Sequence, residues 1–127
     1  MARMQTEYEQ MKAELAVLQF RLGNSDFEAH RYEKAIDEYK RALELDPTVS
    51  AAHFNLAVIY DYYAKDRRKA IDEYRKYLGM ISAESEMKKI RERVLGLELE
   101  DRALAKEPLK SNFDNNPFRG EGKSGIA

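Results

Sequence analysis

At 127 residues, with 35% charged side chains and three prolines, the chain has room for one domain and holds no apolar run of membrane-spanning length. The absence of cysteine excludes disulfides, thiol catalysis and cysteine-ligated metal, and fits a cytoplasmic or other soluble reducing compartment. A net charge of −1 argues against a general nucleic-acid binder, whose domain is strongly basic.

Arg3 is not followed by an apolar stretch of about 7–15 residues, so no secretory signal is expected, although a cleaved one would leave no trace. Residues 1–22 contain neither Gly nor Pro and read as helix. Their apolar positions are Met4, Tyr8, Met11, Leu15, Leu18 and Leu22. The 4-3-4-3-4 spacing is that of a heptad seam. This helix is expected to continue to about Ala29, and a second covers about Tyr32 to Leu45. Asp46-Pro47 ends the second, because the residue before Pro avoids the helical region. Thr48 or Ser50 is placed to cap a third helix running to about Ala64. Asp66 is placed to cap a fourth, about Arg67 to Met80. A fifth helix, about Ala83 to Lys106, puts Met87, Ile90, Val94, Leu97 and Leu104 on one face. From Pro108 the chain is rich in Gly, Asn, Ser and Lys and reads as a tail, flexible or held by a partner.

Lys34-Ala35-Ile36-Asp37-Glu38-Tyr39 recurs unchanged at Lys69-Ala70-Ile71-Asp72-Glu73-Tyr74, a spacing of 35. Leu22-Gly23 matches Leu56-Ala57 at a spacing of 34, so the second copy carries one extra residue. A turn tolerates insertion best, and the extra residue is therefore expected within Tyr62 to Arg68. Periods of this length belong to stacked repeats. The residues resemble the tetratricopeptide repeat, whose pattern is W-x2-L-G-x2-Y, A-x3-F, P. Leu22, Gly23, Ala35, Tyr39 and Pro47 match it in the first copy; Leu56, Ala57, Tyr60, Ala70 and Tyr74 match it in the second. Gln19 and His53 stand where the Trp falls, and Asp26 where the Tyr falls.

The resemblance implies an all-α, right-handed helical-hairpin solenoid. A helical extension (residues 1–15) precedes two repeats (16–49 and 50–82), a capping helix (83–107) and the tail (108–127). Small residues, Gly23, Ala35, Ala57 and Ala70, stand where paired helices approach, and Tyr39 and Tyr74 fill the space between neighbours. It also implies that the first helix of each pair lines a concave groove. Val17, Phe20, Asn24, Phe27, Phe54, Val58, Asp61 and Tyr62 fall on that face, along with Ala51. Some relatives clamp a C-terminal carboxylate with Lys, Asn and Arg. Asn24 and Asn55 hold two such positions, but Phe20 replaces the first Lys and a third repeat is missing. The clamp is therefore not expected.

Two further surfaces follow from the residues themselves. Met4, Tyr8, Met11 and Leu15 lie beyond the reach of the second helix, so the seam serves self-association, another protein or a fold-back. Phe113 and Phe118 are hydrophobic anchors in the tail. Gly122-Lys123-Ser124 fails as a phosphate loop, because Pro117 occupies the place of the leading Gly and no helix follows. His30 and His53 show no metal-ligand spacing, and acidic pairs such as Asp37-Glu38 are assigned to the outer face, away from any cleft. No metal or cofactor is expected, and no nucleophile–base constellation is visible, so the chain reads as a non-enzyme. The expected role is a protein–protein adaptor or assembly subunit that scaffolds a larger complex through groove, seam and tail. The alternative is a chaperone-like carrier that transiently shields an apolar client segment.

Overall fold

The computed structural model describes residues 2–110, with side chains through residue 104. Phe113 and Phe118, the anchors expected in the tail, lie outside the described residues. Two compact units divide the chain, Met1–Arg91 and Glu92–Ala127. The first contains helices α1 (Ala2–Glu28), α2 (Tyr32–Leu45) and α3 (Ser50–Val58), a π-helical segment (Ile59–Tyr63), helix α4 (Arg67–Leu78) and the start of α5 (Glu84–Lys110). The described residues are all-α, arranged as the helical-hairpin repeat that the sequence implies: α1 packs on α2, and α3 packs on both α2 and α4.

Small side chains permit the close approaches. Gly23, Ala35, Ala57 and Ala70 are all buried. A Cβ on Gly23 would sit 2.6 and 2.7 Å from ring carbons of Tyr39, so this ring lies where any larger residue would be. Tyr39 and Tyr74 are buried at the two hairpin interiors. Each is flanked by an aromatic ring from the first helix of its hairpin. Phe20 lies 5.7 Å from Tyr39, and Phe54 lies 6.3 Å from Tyr74 and 5.1 Å from Tyr77, between centroids.

The extra residue of the second repeat lies in a helix. In the first copy Ala29 N–H donates to Ser25, four residues back; its counterpart Ala64 donates to Ile59, five residues back, at 2.8 Å. Donors are offset by 35 and acceptors by 34, which confines the insertion to Tyr60–Tyr63. The two turns that follow have equal length, residues 29–31 and 64–66. His30 (φ 64°) and Lys65 (φ 57°) occupy the same left-handed position in each, a conformation that usually favours glycine. The turn is pinned by this conformation, and a π turn absorbs one residue without breaking the helix.

Helix ends show one further departure. Thr48 and Ser50 do not cap α3: Ser50 is its first helical residue, and Thr48 donates through its N–H and its hydroxyl to Asp46, at 3.0 and 2.6 Å. The Asp46 carboxylate competes successfully because it organises the turn across Pro47. Asp66 caps α4 as expected, accepting from Lys69 N–H at 3.2 Å. In α5, Ile90 of the first unit is buried and Arg91 is exposed. In the second unit Val94 and Leu97 are buried and Leu104 is exposed. The helix passes Lys106 and Pro108 and ends at Lys110, beyond the point where the sequence places the start of the tail.

Candidate functional site

The end of α1, the first turn, α3 and the π-helical segment enclose an open pocket of about 440 Å³. From α1 it receives Asn24, Phe27 and Glu28; His30 comes from the turn and Tyr32 from the start of α2. Asn55 of α3 and Tyr63 of the π segment complete it. Tyr32 and Tyr63 stack at 4.2 Å with their planes 17° apart. Phe27 stands edge-on to both, 5.9 Å from Tyr32 and 6.0 Å from Tyr63. Edge-to-face and offset-stacked rings of this kind hold one another rigidly. His30 Nδ1 lies 2.8 Å from the Tyr32 hydroxyl. Burial, and next the neighbouring Tyr63, push the Tyr32 hydroxyl above its ordinary pKa, so the phenol stays neutral.

Beneath the pocket a polar cluster joins the two hairpins. The Tyr39 hydroxyl donates to Asn24 Oδ1 at 2.5 Å, and Asn55 Nδ2 donates to Asn24 Oδ1 at 3.1 Å and to the Tyr39 oxygen at 3.2 Å. Burial raises the Tyr39 pKa to about 12, so the hydroxyl keeps its proton and remains a donor.

Of the eight groove residues read from the sequence, Asn24 and Phe27 reach this pocket. Phe20 and Phe54 are half-buried against Tyr39 and Tyr74, and so contribute to hairpin packing. Asp61 is buried and accepts from the Tyr74 hydroxyl at 2.9 Å, a correction to its groove assignment. Val17 and Tyr62 are exposed, and Val58 is half-buried. The reason for these shifts after Val58 is the π turn. One extra residue rotates everything beyond it by about 100° relative to an unbroken α-helix, so Tyr63 faces the pocket where counting at 3.6 residues points to Tyr62. Only the 35-versus-34 spacing signalled this.

The seam is fully presented. Met4, Tyr8, Met11 and Leu15 are exposed by between 45% and 72%, and Leu18 and Leu22 extend the stripe.

Ionisable groups lie inside the hairpins too. His53 Nδ1 is 2.6 Å from Glu73 Oε1, both largely buried, and Lys76 lies 3.7 Å from Glu73 and 3.2 Å from Asp72. In the first hairpin the corresponding positions are Gln19 and Glu38. Gln19 Oε1 and Glu38 Oε1 are both buried with no hydrogen-bond partner among the described residues. Burial, and then Asp26, push the Glu38 carboxyl above the usual range. The bond from Glu38 and the Arg31 guanidinium, whose Nε donates to Asp26 Oδ1 at 2.8 Å, hold Asp26 below it. Of the two carboxyls, Glu38 is therefore the one that ionises at the higher pH. Its assignment to an outer face without a cleft is corrected, because neighbouring Asp37 is exposed but Glu38 turns inward. The pair is closed in by the hairpin, which suits a structural role.

Among the described residues no His, Asp and Glu groups are placed to hold a metal ion, and no helix is long and apolar enough to cross a membrane. Residues 23–61 match the family model of the TPR repeat. That span runs from Gly23 through the first turn, α2 and α3 into the π segment. No curated protein matches the chain. The match supports the resemblance to tetratricopeptide repeats, a motif of protein–protein interaction that is generally non-enzymatic.

Proposed function

We propose that this chain, with its TPR-type repeat, is a non-enzymatic adaptor that joins a larger protein assembly through two surfaces: the seam of α1 and the pocket between the hairpins. One observation carries the reading. Six apolar side chains, Met4 to Leu22, stand in water at heptad spacing along α1. Leu22 is 50% exposed, whereas Leu56, its counterpart in the second repeat, is 1% exposed. Burying such side chains is worth about 1.5–3 kcal/mol each, so an open stripe of this length marks a docking face. The heptad spacing selects a helix as the occupant. The seam spans fewer than three heptads, too short to hold a stable coiled coil alone, so it works together with the pocket.

Two measurements test this. Light scattering on a sizing column gives the solution mass of the full chain and of a variant with Met4, Tyr8, Met11 and Leu15 replaced by Gln. A wild-type dimer that becomes monomeric identifies the seam's helix as a second copy. If both are monomers, the seam belongs to a different protein. The second measurement follows the protein from its native cells through high-salt sizing. An adaptor migrates with the assembly in stoichiometric amount, and the seam variant is released. Rapid exchange would instead identify a transient carrier, and migration of wild type as a free monomer in both measurements would defeat the adaptor reading.

A further inference from the structure

The pocket has a chemistry more specific than an apolar groove. Its walls are the stacked Tyr32 and Tyr63 and the edge-on Phe27. A stacked pair leaves each ring one outer face, and aromatic faces carry partial negative charge. Glu28 lines the same space, and no lysine or arginine does. Arg31, the last residue of the turn, is bound to Asp26 at 2.8 Å. A pocket that joins aromatic faces to a single carboxylate attracts a cation and repels an anion. Guanidinium suits it better than ammonium, because it is planar, stacks on a ring face and is weakly hydrated.

The construction of the pocket points the same way. Tyr63 enters it because the π turn adds one residue to the second repeat. At the corresponding place in the first repeat stands Glu28, which lines the same pocket from the other side.

We propose that this pocket binds a basic side chain, arginine by preference, on the segment of partner protein that reaches the hairpins. The inference rests on the adaptor reading for the identity of the partner, but its chemistry is testable without one. The probe is N-acetyl-arginine methylamide, titrated into the full chain and followed by NMR of the aromatic side chains. The control is N-acetyl-citrulline methylamide, nearly the same shape without charge. The expected result is saturable movement of the Tyr32, Tyr63 and Phe27 ring signals with arginine, and binding about tenfold weaker with citrulline. Glu28→Gln should weaken the arginine response several-fold. Tyr63→Leu should abolish it and Tyr63→Phe should keep it. Both act at a side chain that is 49% exposed, and the signals of the other rings report whether the fold is intact. Equal response to arginine and citrulline, or ring signals that do not move, would overturn the proposal. If the rings stay silent while the protein still travels with its assembly, the pocket chemistry fails and the adaptor reading stands. If the probe binds but no assembly is found, the reverse holds.

Discussion

The two hairpins share six consecutive identical residues, yet they treat the same positions differently. Tyr39 lies over Gly23 and donates to Asn24, so its hydroxyl ties α2 to the polar cluster that reaches Asn55 of α3. Tyr74 lies near Ala57 in sequence equivalence and donates to Asp61, within its own hairpin. Glu73 meets a histidine and a lysine. Glu38 meets a carboxylate, and burial and that neighbour raise its pKa. Identical second helices therefore acquire different chemistry from the first helices they pack on. The lesson is that a repeat's shared residues specify the packing frame, and its unshared residues decide which surface can be used.

Position 22 against position 56 is the sharpest form of this contrast. Leu56→Ala, in a fully buried site, is expected to destabilise by about 2–5 kcal/mol. Leu22→Ala should change the stability of the isolated chain by less than about 0.5 kcal/mol, as exposed substitutions do. Urea titration of both variants measures the difference. Equal losses would mean that α1 has an occupant on its seam even in the isolated protein.

Gly23→Ala probes the close approach of α1 and α2 in the first hairpin. The added methyl meets the ring of buried Tyr39, which neighbouring hydrogen bonds hold in place. Overpacking of this kind costs about 1–3 kcal/mol, to be read from the denaturation midpoint. A neutral outcome would show that the ring yields.

Glu38→Gln tests the raised carboxyl pKa. A carboxyl whose folded pKa is raised makes the folded state bind more protons than the unfolded one, so stability falls as pH rises from the ordinary carboxylate pKa through the raised value. Asp26 runs the other way: its lowered pKa contributes stability above the ordinary value and loses it as pH falls. Glutamine keeps a donor for Asp26 without the titration. The variant should therefore be more stable than wild type at pH 7, by about 1 kcal/mol or less, and the gain should shrink toward pH 4. Melting curves at both pH values check this, and a gain independent of pH would rule out the shared proton.

A further contrast between the hairpins is at the caps. Asp66 caps α4 with its side chain, whereas Arg31 offers α2 no such bond. Asp66→Ala should cost about 1 kcal/mol in thermal unfolding, and an unchanged transition would show that the pinned turn at Lys65 suffices on its own.

The apolar spacing of Met4, Tyr8, Met11 and Leu15 was legible because it is a linear property of the sequence, and all four side chains are exposed. The pocket was only partly legible. Asn24 and Phe27 precede the insertion, where a period of 3.6 holds. Tyr63 follows it, and counting across a π turn misassigns the face. Tyr32 and His30 belong to a turn and a helix start, where no periodicity applies. Glu38 looked exposed because it adjoins Asp37, yet adjacent helical residues point about 100° apart.

Sequence alone determined the helical hairpins, their small-residue contacts and the family they resemble, because these follow from local propensity, the 3.6-residue period and repetition along one chain. Tertiary structure decided where the extra residue went, which aromatic rings converge and which of two neighbouring carboxyls has its pKa raised. Those outcomes depend on backbone hydrogen bonds closing five residues back and on desolvation by helices distant in sequence, and neither is a property of any single segment.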